Sequence, residues 1–242
     1  MELARTHAPW PWRFGRGWSE GELQAMLAAL SDRPVNFDEP ADRMTVAHGW
    51  TVDGSHDSLG VEAEGPPEPD GIYQRARQGV INYDFSDPSI VVGHFDPDAP
   101  ALDRDMLLEL KVLGFRFLGG CRVTEVREQT QQGFTVFGFR YDTLAGHIER
   151  GFEWFLLTKD HLSGEVHFQI EAHWLLGDFP NWWSRVGFLL IGERYRHRWR
   201  VRAPERLRRL ARDPAPHRIS EPGKLAHRGD PEPHRTEPSS GR

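Results

Sequence analysis

Glu165-Val166-His167-Phe168-Gln169-Ile170-Glu171-Ala172-His173-Trp174 alternates polar and apolar residues without a break. Successive side chains of a strand point to opposite faces, so this stretch reads as a β-strand. Val166, Phe168, Ile170, Ala172 and Trp174 make its dry face, and the acids, histidines and glutamine between them make a wet one. A sheet that leaves one face wet is an antiparallel sheet. Working towards the N-terminus, the turn Lys159-Asp160-His161-Leu162-Ser163-Gly164 precedes it. Before the turn comes a second strand, with Ile148, Arg150, Phe152, Trp154 and Leu156 read as one face. Arg122–Glu128 and Phe134–Tyr141 flank Gln129-Thr130-Gln131-Gln132-Gly133, a hairpin signal. Phe115-Arg116-Phe117 before Gly119-Gly120 favours a further strand. Residues 105–175 are therefore expected to form an antiparallel meander.

Towards the C-terminus the period lengthens to that of a helix. Over 180–211, Phe188, Ile191, Tyr195 and Trp199 fall on one stripe, with Trp182, Val186 and Leu189 beside it and arginines beyond. Pro204 predicts a kink or restart, because it removes a hydrogen bond and crowds the turn before it. The expected fold class is α+β: a curved antiparallel sheet wrapped around a long C-terminal helix, the helix-grip arrangement. Residues 1–17 read as an irregular lead-in and 18–211 as a single domain. Within that domain, 18–34 is an N-terminal helix opened by the capping box Ser19-Glu20-Gly21-Glu22 and ended by Pro34. Residues 38–71 are rich in glycine and proline and read as a long loop with one short strand near Thr45–Val52. The tail, 212–242, has almost no large apolar residue and reads as disordered.

Composition narrows the function classes. The 242 residues hold one cysteine, Cys121, which excludes a disulfide framework and a cysteine-based zinc site. No segment is long and apolar enough to span a bilayer, and no secretory signal is visible, so a cytoplasmic location is expected. Charge is uneven: residues 32–110 carry 17 acidic against 5 basic side chains, whereas 185–212 carry 10 arginines against Glu193 and Glu205. Either the two regions pair with each other or the basic one faces a polyanion. The arginines at 194, 196, 198, 200 and 202 alternate, which spreads them around a helix, and no nucleic-acid-binding motif accompanies them. Nucleic acid is therefore not an expected partner. A membrane surface, met through Trp182, Trp183 and the arginine run, is the lesser alternative to a buried closing helix. Phosphate-binding glycine loops and the Gly-x-Ser-x-Gly elbow are both absent, so no cofactor is expected.

The sharpest local string is Tyr141-x-Thr143-Leu144-x-Gly146-His147-x-Glu149-x-Gly151. It resembles the signature of a bacterial and plant family known only as domain of unknown function nineteen-ninety. Gly17-Trp18-Ser19-Glu20, Pro66-Pro67-Glu68-Pro69, Asp96-Pro97-Asp98-Ala99-Pro100, Arg104–Glu109 and Gly164–Phe168 are similar to it as well. The likeness covers roughly residues 17–211. It implies a START-like helix-grip protein that binds apolar small molecules, and it implies no reaction.

Two sets of site residues follow. An apolar ligand between sheet and helix is expected to meet Phe137, Phe139, Phe152, Trp154, Phe168, Ile170, Phe188, Ile191, Tyr195 and Trp199, since ligand pockets are mostly apolar with few polar anchors. The alternative is an enzyme in which His147, oriented by Glu149, moves a proton while Thr143 positions the substrate. Two residues apart on a strand, His147 and Glu149 share a face, and Glu153 continues it. A third reading makes Leu144-Ala145-Gly146-His147 a tight turn, with His147 and Thr143 satisfying backbone groups. His147, Glu149 and His167 could meet from neighbouring strands, but their spacing matches no recognised ligand pattern, and no metal is expected.

Overall fold

The computed structural model describes residues 10–177 and 182–212, and for 182–191 the backbone alone. The strands are β1 Trp12–Phe14, β2 Thr51–Val61, β3 Val91–His94, β4 Asp105–Val112, β5 Phe115–Gln131, β6 Phe134–Thr143, β7 Glu149–Asp160 and β8 Glu165–Leu176. The helices are α1 Glu20–Ala28, α2 Ile72–Ile81 and α3 Trp182–Arg212. All the strands join one antiparallel sheet in the order β2-β8-β7-β6-β5-β4-β3, with β1 added to β5.

The sheet curls because β5 changes partners along its length. Its first half pairs with β4 and its second half with β6, and only Cys121 and Arg122 belong to both registers. A register shift between Val123 and Glu125 adds a bulge at that point, which bends a strand and tightens its twist. β1 takes the edge of β5 that β6 leaves free. The tight β4–β5 turn rests on Leu113 and Gly114, both at positive φ (49° and 82°), as a two-residue hairpin requires.

The concave face is covered by α2 and α3. Tyr73, Ala76 and Val80 of α2, with Trp199, Ala203, Leu207 and Ala211 of α3, pack on Phe137, Phe139, Phe155, Leu157, Phe168 and Ile170. Gly79 lets the helices approach closely, since a Cβ there would stand 2.8 Å from Leu207 Cδ1. The convex face is covered in two places. Leu23 of α1 joins Trp10, Leu30, Leu107, Leu118 and Leu144, while Met44 and Trp50 cover Phe152 and Trp154.

Several expectations are corrected. The lead-in contains β1, a three-residue strand paired with β5. The capping box forms as read, with Glu22 N–H donating to Ser19 Oγ and Ser19 N–H to Glu22 Oε2, but α1 ends at Ala28 instead of reaching Pro34. The expected loop over 38–71 holds two 3-10 turns and then β2, eleven residues paired along β8. Gly54, Ser55, His56, Asp57, Ser58 and Gly60 give β2 little strand propensity, so tertiary pairing decides it. α2 and β3 carried no sequence expectation. On β7 the side facing the helix is Glu153, Phe155 and Leu157, and the face read as dry, Phe152 and Trp154, lies on the convex side. Both faces of β7 are covered, so its apolar residues run together and parity cannot be read from them. α3 continues through Pro204, which is buried. The tail from residue 213 lies outside the described residues.

The charge asymmetry is settled inside the molecule. Arg202 pairs with Asp87 at 2.6 Å, Arg200 pairs with Asp53, and Arg206 and Arg208 donate to the carbonyls of Asp84 and Ser58. A second polar tie is fully enclosed. Lys159 Nζ on β7 bonds Glu62 Oε2 at 2.8 Å and the carbonyls of Ala63 and Pro66 at 3.0 Å, with Lys159 0% and Glu62 1% exposed. Glu62 also accepts the Tyr73 N–H at 2.7 Å, so the pair anchors the segment between β2 and α2. Removing one member of a buried pair strands the other charge. Lys159→Met is expected to lose about 3–5 kcal/mol in urea unfolding, and Lys159→Met with Glu62→Gln to recover part of it.

Candidate functional site

A cavity of about 520 Å³ lies between the sheet and α3. Leu108, Leu110, Val112, Phe115 and Phe117 of β4 and β5 form one wall, with Ile90 and Val91 beside them. Tyr141, Thr143, Gly151, Glu153, Ala172 and Trp174 form the other, and Gly192, Tyr195, Arg196 and Trp199 of α3 close over it. Trp199 is fixed in place by its Nε1–H donating to Ser86 Oγ at 2.9 Å.

One row of the sheet makes the cavity's polar end. Asp53 is registered with Ala172, Ala172 with Glu153, and Glu153 with Tyr141, so these four side chains lie side by side across β2, β8, β7 and β6. Ala172 is small and leaves room between the two acids. Tyr141 Oη donates to Glu153 Oε2 at 2.5 Å. Burial pushes the Glu153 carboxyl up to about 7, against the pull of that bond and of Arg200. Burial, with Glu153 and Tyr83 nearby, also raises the Tyr141 phenol. From α3, Arg200 reaches Asp53, and Arg196 reaches Glu149 with its guanidinium 3.7 Å from the Trp174 ring centroid.

The residues expected to do proton chemistry are placed differently from the expectation. His147 and Glu149 do border the same cavity. The Glu149 carboxylate, however, turns to Arg196, and the imidazole is held by backbone: Glu149 N–H donates to His147 Nδ1 at 3.0 Å. Nδ1 also lies 3.0 Å from the Glu149 carbonyl, so the backbone of Glu149 engages Nδ1 in either tautomer. Nε2 is buried, without a partner among the described residues, and the ring edge fills the space a Cβ on Gly119 would take, 2.4 Å from Nε2. Burial and the charge of Arg196 push the His147 pKa down to about 4. Thr143 Oγ1 is committed as well: it accepts from Gly151 N–H at 2.9 Å and donates towards Asn36 Oδ1 at 2.7 Å. The motif thus builds the turn into β7.

Among the expected ligand-facing residues, Tyr195, Trp199 and Phe152 border the cavity. The Phe152 ring itself belongs to the convex-side cluster and stacks on His173 at 4.6 Å. Phe137, Phe139, Phe168 and Ile170 lie in the core beside the cavity and do not line it. Trp154 faces the opposite side of the sheet, under Met44 and Trp50. The side chains of Phe188, Ile191, Trp182 and Trp183 lie outside the described residues. His167 is on the wet face, stacked on His56 at 4.7 Å, away from His147. Among the described residues no three His, Cys, Asp or Glu gather as metal ligands, and no helix is long and apolar enough to cross a membrane. Sequence reasoning missed Tyr141, Arg196 and the β4–β5 wall. The available signal was Glu153, a lone acid inside the apolar run 151–157.

Residues 38–203 match the family described as Domain of unknown function (DUF1990). The chain belongs to that family. No curated protein matches this DUF1990 chain. Among solved structures, the hypothetical protein jhp0584 from Helicobacter pylori is similar at 12% identity, covering 74% of this chain and 98% of its own, with a TM-score of 0.40. Ara h 8.0201 is similar at 8% identity over 67% of this chain and 98% of its own, at 0.37. The di-domain ARO/CYC StfQ from the steffimycin biosynthetic pathway is similar at 12% over 66% of this chain and 49% of its own, at 0.35.

The His147 environment has a consequence for acid stability. Its folded pKa of about 4 lies below the ordinary 6.5, so the folded state resists protonation. Its contribution to stability is present above pH 6.5 and is lost as pH falls through about 4. Between pH 7 and pH 4 the native chain is expected to lose roughly 3 kcal/mol more than His147→Gln, since each pKa unit is worth about 1.4 kcal/mol. Urea unfolding of both proteins at the two pH values reads the difference.

Proposed function

We propose that this DUF1990 protein holds an apolar small molecule in the cavity between its sheet and α3. The carrying observation is the cavity itself: about 520 Å³, walled by Leu108, Leu110, Val112, Phe115 and Phe117, with polar groups gathered at one end. That volume falls within the range typical of small-molecule sites, as does a lining of many apolar groups and few polar ones. Retention of the ligand rests on burial of its apolar surface.

Mass spectra of natively purified protein, recorded under native and denaturing conditions, test the reading. A bound mass of a few hundred daltons is expected in the native spectrum and absent from the denatured one. Leu110→Trp places an indole in the cavity from a partly buried position, and is expected to abolish the bound mass while the protein still unfolds cooperatively. Retention of the bound mass by that variant places the ligand elsewhere and ends this assignment.

A further inference from the structure

The charges around the cavity's polar end are matched in pairs. Arg196 faces Glu149, and Arg200 faces Asp53. Glu153 stands between them on the sheet, in register with Ala172, and takes part in neither pair. Its Oε2 is occupied by the Tyr141 hydroxyl at 2.5 Å. Oε1 has no partner among the described residues, and the carboxyl borders the cavity. The side chain is only half-buried although it sits deep beneath the helix, so the surface it exposes is cavity surface.

We propose that Glu153 binds the polar group of the cavity's ligand, and that this group is an uncharged oxygen: a hydroxyl or a ketone carbonyl on an apolar body. The inference deepens the ligand-holding reading and rests on it. A ligand cation would meet the guanidinium of Arg196. A ligand carboxylate would stand between Glu149 and Glu153. Each guanidinium already has its carboxylate, so a ligand anion finds no unmatched counter-charge, and a ligand cation finds only Glu153, whose burial favours the uncharged carboxyl; burying an unmatched charge is costly. A neutral oxygen asks only for a hydrogen bond. The protonated carboxyl donates to it, and the ionised carboxyl accepts from a hydroxyl. Tyr141, by holding Oε2, orients Oε1 towards the cavity.

A matched probe series on one naphthalene body separates the possibilities, read by displacement of Nile red from the full-length protein. The probes are 2-ethylnaphthalene, 2-acetylnaphthalene, 2-(1-hydroxyethyl)naphthalene, 2-naphthoate and 2-naphthylmethylammonium. The ketone and the alcohol are expected to bind at least about tenfold tighter than the hydrocarbon, and tighter than either ion, a tenfold ratio being one hydrogen bond's worth. Glu153→Leu is expected to erase that advantage while the hydrocarbon's affinity holds, and Glu153→Gln, which can still bond both Tyr141 and the ligand, to keep it. Equal binding of hydrocarbon, ketone and alcohol overturns the assignment of Glu153, as does an advantage that survives in Glu153→Leu. Preferred binding of the carboxylate or the ammonium overturns the charge argument. A protein that takes up neither Nile red nor any probe overturns the ligand-holding reading beneath it.

Discussion

The packing of α3 into the concave face of the sheet is the constraint on which the rest depends. A curled antiparallel sheet with Phe137, Phe139, Phe155, Phe168 and Ile170 on its inner side must be covered, or that apolar surface stays in water. The C-terminal half of α3 does this closely. Trp199, Ala203, Leu207 and Ala211 are all buried against the sheet and α2, and small residues at 203 and 211 keep the helix near. Further towards the N-terminus of α3 the surface it shows to the sheet changes to Tyr195, Arg196 and Gly192. Contact is replaced there by a cavity. One helix therefore seals the core from Trp199 to Ala211 and roofs a cavity at Gly192, Tyr195 and Arg196.

Polar groups around that helix serve position more than chemistry. Arg200 and Arg208 tie α3 to β2, Arg202 and Arg206 tie it to the segment after α2, and Arg196 ties it to the start of β7. Such pairs are individually modest when partly exposed. Their geometry nevertheless holds the roof over the cavity from three directions. The buried pair of Lys159 and Glu62 fixes the opposite end of the sheet, and the His147 turn fixes the entry into β7. Within this frame Glu153 stands out: of the two acids that line the cavity among the described residues, Glu149 has an arginine and Glu153 does not.

Much of the architecture was legible in local sequence. The alternation of 165–174 determined a strand and its dry face, and Ser19 with Glu22 determined the start of α1. The long stripe after residue 180 determined a covering helix. The string from Tyr141 to Gly151 determined the family. These features are set by neighbours two to four residues apart, whose spacing the backbone period turns directly into a shared face. Glu149 and Glu153 share a face of β7 for the same reason, whereas His147 lies in the turn before that strand.

What remained for the tertiary structure is set by contacts distant in sequence. β2 exists because β8 offers an edge along which its glycines and polar residues can pair. The two faces of β7 became distinguishable only once Met44 and Trp50 had covered one and α3 the other. The partner of Glu149 was decided by Arg196, 47 residues away, and not by His147, two residues away. The cavity, too, arises where β4 and β5 diverge from β6 and β7, a divergence caused by the change of partners along β5. Sequence by itself thus determined elements, faces and family, because those follow from local periodicity. Which face is inside, which charge meets which, and where space is left open follow from the order in which distant segments come together, and only the folded chain decided them.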